Sequence, residues 1–153
     1  MKENLHYLTI DEQQLIGSEA SLTQNIALLD ALKTHESTTI PSDFHWYWSG
    51  MQNAAWDTAR NTGAIGLMPY DRAQRFAVIY GQQSAVDDQA LIYIHDIYRA
   101  QAPLQGGRKP SDITPAQIDA MIADTQQAIA DLHLLRDLCH SLDRIYDRSE
   151  NTL

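Results

Sequence analysis

The sequence has a single cysteine, Cys139, so no disulfide can form within the chain. Basic residues are also scarce: Lys and Arg number 11 against 20 Asp and Glu, which gives a formal charge of −9. A nucleic-acid-binding protein needs clustered basic side chains to displace counterions from the phosphates. The acidic balance therefore argues against DNA or RNA as a partner.

Long apolar runs are missing too. No run approaches the roughly 20 residues that cross a bilayer, and residues 1–7 lack the apolar segment of a signal peptide. The chain is therefore expected to be soluble. The short motifs of catalysis are also absent, including a Gly-rich phosphate loop, a Gly-x-Ser-x-Gly elbow and a Cys-x-x-Cys pair. We expect neither an enzyme nor a bound cofactor.

What the sequence does contain is helical periodicity over most of its length. The 153 residues are 44% hydrophobic, as expected for a single domain over residues 1–153 with a core of ordinary size. Apolar residues recur every three or four positions in four segments, and no segment shows strand alternation. The predicted helices cover about residues 5–36, 43–62, 69–101 and 114–148. The predicted fold is all-α, an up-and-down four-helix bundle in which helices 3 and 4 form a long antiparallel hairpin.

The first helix carries leucines at intervals of seven: Leu8, Leu15, Leu22 and Leu29. Such a stripe lies on one face of a helix. It either faces the core of the domain or mediates self-association, as in a coiled coil.

The fourth helix has the strongest start signal. Thr114 and Gln117 have the spacing of a capping box, and Pro115 occupies the first helical position. Ile113 and Ile118 have the spacing of a hydrophobic staple. These residues predict a helix that begins at the Thr114–Pro115 step.

Four residues are candidates for ligand or partner binding: Trp46, Trp56, Tyr80 and Asp87. Trp46 points away from the apolar face of its predicted helix, which makes it the leading candidate for an interaction residue. Asp87 lies on the flank of the third helix, near Gln83. One hypothesis makes Asp87 a general base or the partner of a cationic ligand. The other is that Asp87 and its polar neighbours satisfy one another and fix the register of the bundle.

A second polar stripe follows the last helix: His133, Asp137, His140 and Arg144. This spacing occurs in metal sites of helical bundles. At 100° per residue, however, the stripe lies opposite Leu135, Leu138 and Leu142, so we expect it to face solvent and to hold no metal. Cys139 is expected to be a small core residue.

The middle of the chain carries a recognisable pattern: Trp56-Asp57-x-Ala59, Thr62-Gly63-Ala64-Ile65-x-Leu67-Met68-Pro69-Tyr70 and Tyr80. It resembles a pattern in bacterial proteins of unknown function, in which one transmembrane helix precedes a helical domain. The similarity covers about residues 5–100. It implies an extracytoplasmic domain whose anchor is not in this sequence; without such an anchor the expected compartment is the cytoplasm.

The same motif has a structural interpretation. Small residues, Gly63 and Gly66 among them, would let two backbones approach closely at the turn. On this interpretation Gly66→Val destabilises the domain by a steric clash or by backbone strain at positive φ.

The leading functional hypothesis is a non-enzymatic helical interaction domain that binds a protein partner or itself, and that belongs to a membrane-associated bacterial protein. The alternative is a ligand-binding or sensory bundle with an aromatic-lined pocket under Trp46, Trp56 and Tyr80.

Overall fold

The computed structural model describes residues 2–36, 39–41, 43–44, 46 and 48–150. They form four α-helices: α1 (Lys2–Lys33), α2 (Ala54–Asn61), α3 (Tyr70–Gln101) and α4 (Pro115–Glu150). Short 3₁₀ turns lie at Ala64–Leu67, Ala102–Leu104 and Pro110–Asp112. No strand occurs in this part of the chain, which confirms the predicted all-α class. Among the same residues, none of the helices has the length and apolar character needed to cross a membrane.

The helix α4 lies between the two other long helices and packs against both. Polar pairs fix their directions: Lys33–Asp119 and Glu19–Arg136 join α1 to α4, and Arg99–Asp124 and Gln83–Tyr146 join α3 to α4. In each set the residue number rises on one helix as it falls on the other. Both α1 and α3 are therefore antiparallel to α4, and the α3/α4 pair forms the predicted hairpin.

The core lies between the three long helices. On α1 it takes Leu8, Leu15, Leu22 and Leu29, each exposed by 2% or less. From α3 and α4 it takes an apolar set that includes Ile79, Val86, Ala90, Tyr93, Ile97, Leu132, Leu135, Cys139 and Leu142. The leucine stripe is therefore the inner face of α1. Because these leucines are already buried, self-association of the folded chain has to use another surface.

The start of α4 matches its sequence signal. Gln117 Oε1 accepts a hydrogen bond from the backbone N–H of Thr114 at 2.9 Å, and Thr114 Oγ1 accepts one from the N–H of Gln117 at 3.3 Å. Ile113 and Ile118 are buried in one small cluster with Leu29, Leu32 and Met121. The predicted capping box and staple are both confirmed.

The prediction of a helix over residues 43–62 is wrong in its first half. Only Ala54–Asn61 is helical, and the described residues from 43 to 53 are not. One reason is Gly50, whose φ of +76° is incompatible with a right-handed helix. Phe44 and Met51 are nevertheless buried, as their apolar character requires. The four-helix bundle is therefore not confirmed.

Residues 43, 44, 46 and 48–53, here called the strap, follow α1 in the opposite direction. The strap contacts begin where Asn25 bonds to Asp43 and end where Asn4 bonds to Gln52. Over that distance α1 covers 21 residues, or about 32 Å at 1.5 Å per residue, while the strap covers only 9. The two ends of the strap are therefore separated by about 3.5 Å per intervening residue, near the limit for an extended chain.

The turn after α2 corrects the expectation for Gly66. A Cβ placed on Gly66 meets no atom within 4 Å, and Gly66 is not in the left-handed region. The position that requires glycine is 63, because Gly63 follows the end of α2 in the left-handed conformation, with φ +74°. A clash or strain at Gly66 is therefore not expected.

Candidate functional site

Two of the candidate residues come together at one end of the domain. The rings of Trp56 and Tyr80 are stacked with centroids 5.0 Å apart and an interplanar angle of 5°. Phe76 lies 6.4 Å from Trp56, and the guanidinium of Arg72 lies 5.8 Å from the Phe76 ring. Because the Trp56 and Tyr80 rings stack directly on each other, they leave no cavity between them.

Trp46 lies elsewhere. Its ring meets the edge of Tyr98, with centroids 6.3 Å apart and an interplanar angle of 63°. Tyr98 is 18 residues after Tyr80 on α3, which is about 27 Å along the helix axis. The structure therefore separates Trp46 from Trp56 and Tyr80, and the three do not surround one pocket.

Asp87 lies between these two aromatic groups and holds the strap. Its Oδ1 accepts a hydrogen bond from Trp48 Nε1 at 2.9 Å and one from the backbone N–H of Met51 at 3.2 Å. Gln83, its expected neighbour, instead donates to the hydroxyl of Tyr146. Asp87 thus bonds α3 to the strap, and Gln83 bonds α3 to α4.

A second carboxylate, not expected from the sequence, holds the strap from the other side. Asp11 of α1 is fully buried. Its Oδ1 accepts the backbone N–H of Ser49 at 3.2 Å, and its Oδ2 accepts the Ser49 hydroxyl at 2.9 Å. Ser49 and Met51 therefore donate to opposite helices, and the left-handed Gly50 between them makes this reversal sterically accessible.

Asp11 belongs to a polar series that sequence reasoning missed. Asn4, Asp11 and Asn25 are spaced by multiples of seven along α1, and all three are buried. Each lies four residues before a leucine of the buried stripe, at a position that points into the same side of the helix. This spacing is the sequence signal for the series. Polar residues that recur beside the buried leucine stripe need hydrogen-bond partners inside the domain.

Burial raises the pKa of both strap-holding carboxyls above the ordinary value of 3.8. Hydrogen bonds from Ser49 oppose the rise in the pKa of Asp11, and the charge of Asp87 adds to it. At Asp87 the hydrogen bonds from Trp48 and Met51 oppose the rise in pKa. In both cases the protonated carboxyl is favoured more in the folded chain than in water.

This shift gives a prediction for pH. A carboxyl whose pKa is raised on folding contributes stability that is fully present below pH 3.8 and is lost as the pH rises through the folded-state pKa. We therefore expect the unfolding free energy of the wild type, minus that of Asp87→Asn, to fall as the pH rises from about 4 toward neutrality. Urea titrations of both proteins across this range measure the difference. A difference that is constant or that grows with pH would contradict the assignment.

The thiol of Cys139 is not available for chemistry. It is fully buried, and burial followed by repulsion from Glu12, Asp11 and Asp87 raises its pKa to about 12. Since the thiolate is the reactive form, the structure supports the expected role as a core residue.

The polar stripe of α4 faces solvent, as predicted: His133, Asp137, His140 and Arg144 are all exposed. Glu19 of α1 accepts from Arg136 at 2.7 Å and lies 3.0 Å from His133 Nε2. With Asp137 and His140, His133 and Arg136 line a shallow groove of about 220 Å³. In the described part of the chain, no three His, Cys, Asp or Glu side chains are grouped so that they could hold a metal ion.

Comparisons of the chain with protein-family models, with curated proteins and with solved structures found no match. The resemblance carried by the motif around Gly63 therefore stays a prediction.

Proposed function

We propose that this chain is a non-enzymatic helical interaction domain, and that it binds a protein partner through a patch formed by Trp46, Leu91 and Tyr98. In this domain the strap takes the place that a fourth helix has in an up-and-down bundle. The observation that carries the proposal is the partial exposure of an aromatic pair, Trp46 and Tyr98, that is packed edge to face on the surface. Trp46 is 38% exposed, Tyr98 50% and Leu91 65%.

The patch has the composition of a binding surface. Trp and Tyr are enriched among the residues that contribute most to protein interfaces. Leu91 lies seven residues before Tyr98 and hence on the same face of α3. Trp46 is held against Tyr98 because the strap is anchored at Asp43 and again at Ser49. An indole fixed in this way loses little conformational entropy when a partner covers it.

The engagement of the reactive groups supports a role without catalysis. Asp11 and Asp87 accept hydrogen bonds from the strap, and the Cys139 thiol remains protonated. A general base or a nucleophile needs a free lone pair directed at a substrate. Here these groups are used to hold the chain together.

The positions of the aromatic residues give less support to the alternative, a ligand-binding or sensory bundle. Its pocket would join Trp46, Trp56 and Tyr80, yet Trp46 packs on Tyr98 and Trp56 stacks on Tyr80. A ligand between the two rings of the Trp56–Tyr80 stack would have to separate them first.

The proposal is tested by immobilising the chain and capturing proteins from an extract of its source organism. We expect a protein that is retained by the wild type, and whose Kd rises by about tenfold or more with Trp46→Ala. Leu134→Ser is the matched control, because Leu134 is comparably exposed but lies on α4. Circular dichroism confirms that each variant is folded. The proposed surface would be contradicted if Trp46→Ala left the Kd of the captured protein unchanged, or if Leu134→Ser weakened binding as much as Trp46→Ala.

A further inference from the structure

The groove between α1 and α3 that holds the strap, here called the strap groove, recognises main-chain atoms. Each of its four polar side chains bonds to at least one backbone group of the strap. The contacts are Asn25 Nδ2 to Asp43 O at 2.7 Å, Ser49 N to Asp11 Oδ1 at 3.2 Å, Met51 N to Asp87 Oδ1 at 3.2 Å, and Asn4 to Gln52 O and N at 2.9 and 2.8 Å. The groove therefore selects an extended backbone.

The spacing of these contacts is regular. On α1 the contacting residues Asn4, Asp11 and Asn25 are separated by multiples of seven, and their partners at 52, 49 and 43 by multiples of three. Seven helical residues rise about 10.5 Å, and three extended residues cover about 10 Å. One face of α1 thus matches the repeat of an extended chain over the full length of the strap.

Side chains add selectivity to this backbone recognition. Phe44 and Met51 of the strap enter the core, and Trp48 bonds to Asp87 through its indole N–H. At Gly50, an added Cβ would lie 4.0 Å from Asp87 Oδ1. Any other residue there would also have to adopt the left-handed conformation that favours glycine. The sequence that fits is Phe-x-x-x-Trp-Ser-Gly-Met, which the chain itself supplies.

The strap is joined to the rest of the domain by weakly held segments. The helix α2, which follows it, buries none of its residues. On the other side, α1 ends in an exposed turn in which His35 is left-handed (φ +60°) and the N–H of Glu36 bonds to Ala31 O, so residues 34–36 bond only to α1. Release of the strap would leave this turn and the α1/α4 and α3/α4 contacts in place.

We propose that the strap groove accepts the strap of a second copy of this chain, so that two copies exchange straps reciprocally. The inference goes beyond the proposed function, because the groove contacts that carry it involve neither Leu91 nor Tyr98. Exchange reproduces every strap contact of the single chain, which is why domain swapping needs no new recognition chemistry. Because it is bimolecular, the exchanged fraction rises with protein concentration.

A pair of cysteine variants, both made in a chain whose native Cys139 is replaced by Ala, tests the exchange. Ser21 Oγ of α1 lies 2.6 Å from Asp43 Oδ2 of the strap, so a cysteine at each position would be adjacent. Ser21→Cys and Asp43→Cys are made in separate chains, mixed, refolded together at high concentration and oxidised. A disulfide between positions 21 and 43 then joins two chains only if the strap of one lies on α1 of the other.

The control is Thr23→Cys mixed with Asp43→Cys, because Thr23 lies on the outer face of α1. We expect the 21–43 disulfide to exceed the 23–43 disulfide by about tenfold or more, as proximity raises the effective concentration of the thiols. A synthetic peptide of residues 39–53 should compete and reduce the 21–43 product. Equal yields of the two disulfides would overturn the exchange. That result would leave the Trp46-dependent capture experiment to decide the proposed function separately.

Discussion

Leu15→Ala is expected to lower the free energy of unfolding by about 2–5 kcal/mol, the usual cost of removing a fully buried leucine side chain. Leu15 is 1% exposed and packs in the main core. Its neighbour Ile16 is 61% exposed on the outer face of the same helix. Ile16→Ala is therefore the matched control and should change the stability by less than about 0.5 kcal/mol.

Urea denaturation followed by circular dichroism measures both variants. The comparison separates the two hypotheses for the leucine stripe. If the stripe mediated self-association instead of facing the core, Leu15→Ala would change the oligomeric state and would leave the stability of the monomer nearly unaltered.

Asp87→Ala is expected to destabilise the domain strongly, whereas Asp87→Asn is expected to be nearly neutral at pH 7. The alanine leaves Trp48 Nε1 and the backbone N–H of Met51 without their acceptor, and each buried donor left unpaired costs about 1–3 kcal/mol. Asparagine keeps an acceptor oxygen and resembles the neutral carboxyl that burial already favours at this site.

Asp88→Ala controls for the loss of a negative charge, because Asp88 is adjacent in sequence and exposed. Its effect should stay within about 0.5 kcal/mol. Thermal or urea unfolding of the three variants gives the comparison. If Asp87→Asn proved as damaging as Asp87→Ala, the ionic charge and not the hydrogen bonding would be what holds the strap.

The long helices could be predicted from the sequence because their signals are local. The leucines of α1 and the seam of α3 from Phe76 to Ile97 repeat with the helical period. The start of α4 is marked by a capping box whose two hydrogen bonds join residues three apart. Such features depend on few neighbours, so tertiary structure had little opportunity to override them.

The strap could not be predicted in the same way, since it depends on distant residues. Phe44, Trp48 and Met51 have helical spacing, which predicts a helix for this segment. What decides its conformation is the match of its backbone groups to Asn4, Asp11, Asn25 and Asp87, which lie 18 to 48 residues away in sequence. The one local signal against a helix is Gly50, in the middle of the segment, because glycine has a low helix propensity.

The candidate residues show the same limit. Trp56 and Tyr80 do meet, whereas Asp87 bonds to Trp48 and Met51 and not to Gln83, the polar neighbour named in the hypothesis. Trp46 falls within the helix predicted over residues 43–62 but lies instead on the strap, where its ring packs against Tyr98. A residue's surroundings could not be inferred once the conformation of its segment was misassigned.

Amide hydrogen exchange of the strap tests the central claim most directly. The backbone N–H groups of Ser49, Met51 and Gln52 lie outside any helix, yet each donates to a side chain of α1 or α3. We predict exchange at least about a hundredfold slower than in an unstructured chain, with the exposed loop residues Gly106 and Gly107 as fast-exchanging references. Exchange of the three strap amides as fast as at Gly106 and Gly107 would contradict an extended strap held between the two helices.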